Sequence, residues 1–548
     1  MHKVLSTWLC AAIAGCLLAM SPATPAQDGG RNLVSVQWLQ NNLNRDDVVL
    51  IDASPAQIYA ARHIAGALNV DVFSFGARQP TASEMEQRLQ SWGLSRDKKV
   101  VIYDQGGTFF ATSLFFDLYY HGFPAANLLV LDGGLSKWQA QGGQVTKEPA
   151  ATPRKGSFRV TNIREDARVR LPEFLVASGD PANHALIDAL EPSYHFGAAK
   201  FFDRAGHVPN AIMLPSADLF NEDKTFKSAD EVRRMLTYLG IRPEQQVHTY
   251  CGGGIAASAP FFAIRFLADY PKAKLYKESQ LEWLRDDRGL PQWTYDAPFQ
   301  LRDKQWLNGW NGPMQRMFDV SKLSVIDVRP ADAYKLGHVP FALSIPADVF
   351  RSHLAQPAKL AEFLGAAGVD STHEAVIVSD KGLTPGAALT YLMLERLGQK
   401  KISLLTDSID DWGLGGLPLT KEPTVVGARK SPQEMAVPAT SYPARLRAGV
   451  LVSDAAGTPG PYPKIFLASG KTPPTKAQDG KVIHVPYTDL LNPDGTPKPA
   501  KDVWNILVKA GVPRYAQIIC VADDPGEAAV SYFILKLMGY PDVRVLVS

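Results

Sequence analysis

The chain of 548 residues has only four cysteines, Cys10, Cys16, Cys251 and Cys520. The first two lie in an apolar amino-terminal stretch, so Cys251 and Cys520 remain for the rest of the chain, too few for a disulfide framework. The sequence contains no Cys-x-x-Cys pair and no His/Cys cluster, which excludes the common structural metal motifs. We therefore expect both remaining thiols to be free, with no metal and no organic cofactor.

The chain also has little net charge and no long basic run. Its 57 Lys and Arg residues stand against 55 Asp and Glu residues, giving a formal net charge of +2. Such a balance argues against nucleic-acid binding. The length allows about four domains of ordinary size.

The amino-terminal stretch has the pattern of a secretory signal. Residues 2–3 are polar, residues 4–20 are largely apolar, and Thr24-Pro25-Ala26 supplies a small-residue cleavage site. We predict a signal peptide over 1–26, cleaved after Ala26, a periplasmic or secreted protein, and no membrane span after cleavage. The alternative is a lipoprotein anchored at Cys16, because Ile13-Ala14-Gly15-Cys16 resembles a bacterial lipobox.

The stretch from Val247 to Ser258 carries the strongest functional signal. An apolar, β-prone run ends at Cys251, three glycines follow, and a run rich in Ala, Phe and Ile comes next. This pattern predicts a strand, a tight loop and a helix, with the thiol where open α/β sheets bind ligands. Most free cysteines are simply buried apolar residues. Here the flexible loop and the helix start favour a functional thiol, which we expect to be held as a thiolate.

The segment from Tyr250 to Ser258 resembles the active-site loop of the rhodanese family, sulfurtransferases of the thiosulfate and mercaptopyruvate type. Upstream, Leu186-Ile187-Asp188-Ala189 and Gly206-His207-Val208-Pro209-Asn210-Ala211 resemble two further family signatures, and Ser279-Gln280-Leu281-Glu282-Trp283 resembles a third downstream. Together they cover one complete domain. The resemblance implies structural roles for Asp188 and His207 and a core role for Trp283.

Related patterns occur four times along the chain. The first unit contains 48–53, 62–67, 100–104 and 131–138, the third contains 325–329, 337–342, 376–380 and 407–412, and a degenerate fourth keeps 481–486 and 518–529. Short apolar strands alternate with helical stretches, which is typical of parallel sheets covered on both faces. We predict an α/β fold of four tandem rhodanese-like domains, each a mainly parallel sheet flanked by helices.

The predicted boundaries are 32–145 for the first unit, 157–297 for the second, 303–419 for the third and 440–548 for the fourth. Similar seams after the first and third units indicate a duplicated pair. Aligning the units puts Asp104, Asp380 and, allowing for a shift of about one residue, Asp523 at the position of Cys251. A carboxylate cannot accept and release a sulfane sulfur, so we expect the second unit alone to be catalytic. Cys520 lies inside a predicted strand and is interpreted as core packing.

The resemblance implies a sulfurtransferase that carries sulfur from a donor such as thiosulfate to a thiophilic acceptor through a Cys251 persulfide. The acceptor would be cyanide in an assay and a thiol, or a protein sulfur acceptor, in the cell. The predicted substrate contacts, chosen for loop amides and one cation suited to an anionic donor, are Gly252, Gly253, Gly254, Ile255, Ala256 and Arg204.

Two other classes of function occur on this fold or fit this composition. A phosphatase on this fold needs an arginine six residues after the cysteine to clamp phosphate, and Ala257 stands there. The remaining alternative is a non-enzymatic exported sulfur carrier, scaffold or binding protein. The loop also lacks the Arg or Lys that thiosulfate-using relatives often carry, which leaves the donor open.

Overall fold

The computed structural model describes residues 32–75, 79–428, 430, 434–455, 459–473 and 480–547, apart from the side chain of Asp286. The predicted signal peptide over 1–26 and the lipobox cysteine Cys16 lie outside these residues. Within the described ranges, no helix combines the length and the apolar character needed to cross a bilayer.

Four five-stranded sheets form the framework of the protein. Their strands, in chain order, are Leu33–Val34, Val48–Asp52, Leu68–Asn69, Lys99–Tyr103 and Leu128–Leu131; Arg168–Val169, His184–Asp188, Ala211–Met213, Gln246–Tyr250 and Lys274–Tyr276; Leu301–Arg302, Leu323–Asp327, Leu343–Ser344, Glu374–Val378 and Lys401–Leu405; and Leu451–Val452, Lys464–Ala468, Lys481–His484, Gln517–Val521 and Val543–Leu546. Every sheet is parallel, with the spatial order first, fifth, fourth, second, third. The predicted α/β class with repeated parallel sheets is confirmed.

Among the described residues, helices cover both faces of the first three sheets and one face of the fourth. They are Val36–Asn42, Ala56–Ala61, Ala82–Ser91, Phe110–Tyr120 and Gly134–Ala140; Leu171–Ser178, Pro192–His195, Ala229–Tyr238, Ser258–Phe262 and Ser279–Trp283; Lys304–Asn311, Pro313–Met317, Ala331–Leu336, Ala347–Ser352, Pro357–Ala366, Pro385–Arg396 and Ile409–Leu414; and Ala500–Ala510 and Pro525–Leu537. The central strands of the first three sheets are apolar on both faces because both faces are covered. The third sheet begins at Leu301, slightly before the predicted boundary of its unit at 303.

The units pack in two pairs, and each pair shares one hydrophobic core. In the first pair the almost fully buried helix Phe110–Tyr120 lies against Ser258–Phe262, the helix that follows the Cys251 loop. In the second pair Pro385–Arg396 packs along Pro525–Leu537. A buried hydrogen bond of 2.8 Å between the hydroxyls of Thr112 and Ser258 joins the first pair beside the catalytic loop. The first unit therefore contributes directly to the surroundings of Cys251.

Contacts between the two pairs run from the second unit to the fourth. The Tyr238 hydroxyl donates to the carbonyl of Ala516 at 2.8 Å. The amide of Asp296 donates to the carbonyl of Leu537 at 3.1 Å. These bonds attach the far edge of the catalytic unit to the second pair.

Candidate active site

Cys251 lies directly after the central strand Gln246–Tyr250, at the carboxyl edge of the second sheet. Its side chain is only 2% exposed and belongs to the core shared by the first two units. The following residues turn sharply before a short helix starts at Ser258. This is the strand, loop and helix arrangement that the sequence predicts.

One amide of the loop touches the sulfur directly. The Gly254 N–H donates to Cys251 Sγ at 3.1 Å. Gly254 has a φ of +78°, and a Cβ there would lie 2.1 Å from the carbonyl oxygen of Lys277. A side chain at this position would therefore move the amide away from the sulfur, which explains why the loop needs glycine here.

The resting thiol is not held as a thiolate, contrary to the expectation from sequence. Burial raises the pKa of the Cys251 thiol, and the amides of Ala257, Gly253 and Gly254 offset this effect only in part. The sequence reveals the donors but not the depth of burial, which disfavours the charged form. The site therefore stores a neutral thiol whose main-chain donors can stabilise an anion once it forms.

The segment 277–281 forms the wall against which the catalytic loop rests. The Cys251 N–H donates to Ser279 Oγ at 3.0 Å, and that hydroxyl donates to the carbonyl of Tyr276 at 2.7 Å. The amides of Gln280 and Leu281 donate to the carbonyls of Cys251 and Gly252 at 3.0 and 2.9 Å. Ser279 itself has a φ of +52°, a strained value for a residue with a side chain. The wall thus fixes the loop by its backbone.

This wall is anchored to the first unit by a buried ion pair. Lys277 Nζ lies 3.3 Å from Asp117 Oδ1, and both side chains are almost completely buried. Asp117 belongs to the helix Phe110–Tyr120 and also accepts a hydrogen bond of 2.9 Å from Gln79 Nε2. Asp117 of the first unit therefore fixes the position of Lys277 in the second unit, and the carbonyl of Lys277 packs on Gly254.

The predicted substrate contacts in the loop differ in where their backbone groups point. Gly253 and Gly254 direct amides towards the sulfur. The carbonyls of Gly252 and Ile255 accept bonds from Leu281 N and Ser258 N, and the carbonyl of Ala256 accepts from Ala259 N. Gly253, Ile255 and Ala256 are partly exposed and form the rim of the loop.

Arg204 is engaged in holding the loop around it rather than aimed at an anion. Its guanidinium donates to the carbonyl of Trp283 at 2.7 Å, to that of Arg285 at 3.3 Å and to that of Leu290. The prediction of Arg204 as a substrate contact is therefore not supported by its geometry. The sequence shows the cation but not the carbonyls that surround it.

Beneath the site lies a buried cluster of His and Asp side chains. His195 Nδ1 lies 2.9 Å from Asp188 Oδ2, and its Nε2 lies 2.7 Å from Asp296 Oδ1. The His207 ring stacks on the His195 ring at 3.7 Å, and its Nδ1 lies 2.8 Å from the His195 carbonyl. Burial favours a neutral His195, but Asp296 and Asp188 outweigh it and raise the pKa of His195 to about 9. Burial and the neighbouring His195 lower the pKa of His207 to about 4.

The same cluster contains three side chains of the types that bind metal ions. Ligand atoms of His195, His207 and Asp296 lie within 4.8 Å of one another, a grouping found among the described residues. Both ring nitrogens of His195 lie against carboxylates, and its pKa, raised to about 9, keeps both nitrogens protonated, so His195 has no lone pair to offer a metal. We interpret the cluster as a hydrogen-bonded support for Asp188, in line with the structural roles predicted for Asp188 and His207.

The structure corrects the alignment of the third unit. Strand registers pair Asp52 with Tyr103, Asp188 with Tyr250, Asp327 with Val378, and Ala468 with Val521. The position of Cys251 is therefore held by Asp104, Ser379 and Ala522; the prediction of Asp380 is wrong, and Asp523 lies one residue beyond the position, within the shift allowed for it. The sequence alignment matched residues by their acidic character, whereas the structure matches residues that stand at the same distance from the end of the central strand.

None of these three side chains can carry a sulfane sulfur, so the described units contain one candidate catalytic centre. Cys520 is a free thiol, as is Cys251. It is fully buried within the strand Gln517–Val521, as predicted. Burial raises the pKa of its thiol strongly.

Several residues of the site were not found from sequence. Asp117 and Lys277 carry no spacing signal, because they come together only when the first and second units pack. His195 had a weak signal, since His63 and His338, which correspond to His207, stack on Tyr59 and Tyr334, so a tyrosine holds the place of His195 in the first and third units. A comparison of the residue that precedes the recurring histidine in each repeat, tyrosine in two units and His195 in the second, would have singled out His195.

Comparisons with known proteins agree with this architecture. The family model described as "Rhodanese-like domain" matches residues 35–141 and 313–414, which are parts of the first and third units. "Sulfur carrier protein TtuD" of Thermus thermophilus is 30% identical over 271 residues, covering 46% of this chain and 93% of that protein. A Pseudomonas aeruginosa protein named "Probable 3-mercaptopyruvate sulfurtransferase" is 29% identical over 279 residues, covering 47% of this chain and 96% of its own length.

Among solved structures, the 3-mercaptopyruvate sulfotransferase SseA from Escherichia coli is 25% identical, with a TM-score of 0.41, over 45% of this chain and 98% of that chain. The relatives match about half of this chain over nearly their whole length. Together with the parallel sheets and the cysteine loop, the matches to the family model and to these relatives show that the chain belongs to the rhodanese family of sulfurtransferases.

Proposed function

We propose that this protein is a sulfurtransferase that moves a sulfane sulfur from a donor such as thiosulfate to a thiophilic acceptor through a persulfide on Cys251. The observation that carries the proposal is the Gly254 N–H, 3.1 Å from Cys251 Sγ at the end of the central strand. The sulfurtransferase names of relatives support the reaction class. The donor, the acceptor and the persulfide belong to the proposal.

The reaction has two steps. The Cys251 thiolate bonds to the outer sulfur of thiosulfate, the sulfur–sulfur bond breaks, and sulfite leaves with the bonding electron pair. The terminal sulfur of the persulfide then carries the negative charge, which the loop amides stabilise. An acceptor attacks that sulfur and the Cys251 thiolate returns. Cyanide gives thiocyanate, and a thiol gives an organic persulfide. The residues perform this chemistry without an organic cofactor.

The raised pKa of the Cys251 thiol sets the pH dependence of the first step. Because the thiolate is the nucleophile, the rate of sulfur loading is expected to increase as the pH rises towards that pKa. The second step depends instead on the ionisation of the acceptor, because the deprotonated thiol or the cyanide anion is the nucleophile.

The test is mass spectrometry of the protein after incubation with thiosulfate. Wild type and Cys520→Ser should gain one sulfur atom on the peptide that bears Cys251, whereas Cys251→Ser should gain none. Cyanide should remove that sulfur and release thiocyanate. Retention of full activity in Cys251→Ser would reject the proposal.

A sulfur-carrier role is the second candidate, favoured by the carrier name of the Thermus thermophilus relative. Its three other units would then form a scaffold. A carrier would be loaded by a partner protein and would not turn over with small molecules. Many thiocyanate molecules per enzyme from thiosulfate and cyanide alone would support the enzyme, and loading that requires a partner would support the carrier.

Export to the periplasm or outside the cell is also part of the proposal. It is supported by the apolar stretch and the cleavage pattern that ends at Ala26. The intact mass of the protein isolated from its own cells tests it. A chain that starts at Gln27 supports cleavage after Ala26, and a lipid-modified chain that starts at Cys16 supports the lipoprotein alternative.

A further inference from the structure

Two stacked aromatic rings lie at the mouth of the catalytic loop. Tyr194 and Phe201 stack with their ring centroids 4.0 Å apart and their planes within 2°. The Phe201 ring lies against Gly252, 3.2 Å from where a Cβ of that residue would stand. Phe201 is 53% exposed, whereas Cys251 beside Gly252 is 2% exposed. We call this pair, Tyr194 and Phe201, the aromatic shelf.

Among the residues that the structure describes, the rim of the loop beside the shelf is also uncharged. The exposed rim of the loop consists of Gly253, Ile255 and Ala256. These residues offer small or apolar surface beside the shelf. A substrate that reaches Cys251 therefore passes an apolar opening rather than a charged one.

The cations in the segments around the loop are engaged by protein oxygens. Lys200 Nζ donates to the carbonyl of Asp203 at 3.0 Å. Arg204 donates to the carbonyls of Trp283, Arg285 and Leu290. Lys277 is buried against Asp117. A compact dianion such as thiosulfate loses its hydration at this mouth and must compete with these oxygens for a cation, which is unfavourable.

We propose that the preferred sulfane donor carries an aromatic or alkyl group on the sulfur to which its transferable sulfur is bonded, and that Phe201 selects it. This inference rests on the proposed function and names the substrate class for the same site. An organic thiosulfonate or an organic persulfide fits this description, because each is at most a monoanion with an apolar body. The apolar group packs on the exposed face of the aromatic shelf while the sulfur meets Cys251.

The transfer from an aryl thiosulfonate balances as follows. The Cys251 thiolate bonds to the terminal sulfur, the bond between the two sulfur atoms of the donor breaks, and arylsulfinate leaves with the electron pair. From an organic persulfide, the organic thiolate leaves instead. In both cases the product is the Cys251 persulfide, and neither transfer needs an added oxidant or reductant.

The test compares three donors in single-turnover loading of Cys251: thiosulfate, methanethiosulfonate and benzenethiosulfonate. Each rate is divided by the rate of the same donor with free cysteine, which removes differences in leaving-group chemistry. Wild type should load from benzenethiosulfonate faster than from methanethiosulfonate, and from both faster than from thiosulfate. In Phe201→Ala the benzene-to-methane ratio should fall by about 3- to 10-fold, the worth of one aromatic contact. Phe201→Tyr should keep the ratio.

The matched control is Phe318→Ala, because Phe318 is also an exposed aromatic residue, 65% exposed, but belongs to the third unit. It should leave all three rates unchanged. A wild-type preference for thiosulfate, or an unchanged ratio in Phe201→Ala, overturns the inference while leaving the persulfide mechanism intact. Failure of all three donors to load wild-type Cys251 overturns the proposed function and this inference together.

Discussion

Removal of the Asp117 carboxylate should destabilise the pair of units and slow the chemistry at Cys251. In Asp117→Asn the ammonium of Lys277 stays buried but loses its counter-charge at 3.3 Å. Breaking one partner of a buried pair costs about 3–5 kcal/mol, because an uncompensated charge remains in the interior. The free energy of unfolding should fall by this amount.

The same change should reach the sulfur through the wall of the loop. The Lys277 carbonyl packs where a Cβ of Gly254 would stand, and the Gly254 amide is the donor to Cys251 Sγ. Movement of Lys277 therefore displaces that amide. Loss of one such donor costs about 100- to 1000-fold in oxyanion sites, so we expect partial displacement to slow sulfur loading by about 10-fold or more.

Urea unfolding and single-turnover loading measure the two effects separately. The double variant Asp117→Leu/Lys277→Met replaces the pair with apolar side chains and should recover most of the stability. Lys322→Met is the control for losing a lysine, because its partner Asp319 is exposed and the pair is worth little. The reasoning is refuted if Asp117→Asn unfolds within about 0.5 kcal/mol of wild type, the range expected for a surface change.

Three further predictions concern single residues. Alkylation of Cys251 by iodoacetamide should rise with pH and show an apparent pKa above the usual value of about 8.5, while buried Cys520 should not react in the native protein. Gly254→Ala should fold but load sulfur much more slowly, since a Cβ would meet a carbonyl oxygen at 2.1 Å. His195, with a pKa raised to about 9 in the folded state, should contribute roughly 3 kcal/mol to the free energy of unfolding below about pH 6.5. This contribution should be lost as the pH rises to 9. Thermal melting of wild type and His195→Gln at several pH values would measure it.

Each of these has an opposite outcome that would reject it. A Cys251 thiol that alkylates with an apparent pKa below 8 would contradict the effect of burial. Wild-type loading rates in Gly254→Ala would remove the need for glycine in the loop. An equal loss of melting temperature between pH 6.5 and 9 in wild type and His195→Gln would show that another group carries the dependence.

The sequence was sufficient to predict the fold because the central strands have a distinctive local pattern. Runs such as 48–52 and 323–327 are apolar on both faces, end in an aspartate, and recur at similar distances from a histidine. The catalytic loop was also predictable, since a cysteine followed by three glycines after such a run has few structural uses. Local pattern thus identifies both the parallel sheets and the position of Cys251.

The sequence could not reveal what the packing of two units does to that position. The expected thiolate failed because burial in a core shared with the first unit outweighs the amides. Arg204 as an anion contact stays a prediction, and the sequence did not reveal the distant carbonyls that its guanidinium contacts. Asp380 was assigned by residue type, whereas the strand register places Ser379 there. In each case the deciding partner lies far away along the chain.

The non-catalytic units show how the same backbone is used when no thiol is present. In the first unit the Asp104 carboxylate accepts the amides of Gly106 and Ala111 at 2.8 and 3.0 Å, so a fixed anion occupies the donors. In the third unit Ser379 Oγ donates to the carbonyl of Gly382 at 2.6 Å and closes the loop.

Equivalent turns of the partner units then cover these closed loops. Lys224 of the second unit packs on Gly107, where a Cβ would lie 2.9 Å from its side chain. The carbonyl of Gly495 in the fourth unit accepts the amide of Leu383 in the third at 2.9 Å. A loop that serves as a packing surface cannot admit a donor. The Cys251 loop is covered instead by the exposed ring of Phe201, which lies against Gly252. The second unit therefore differs from the first and third in two ways: it has a cysteine, and no turn of a partner unit packs on the described residues of its loop.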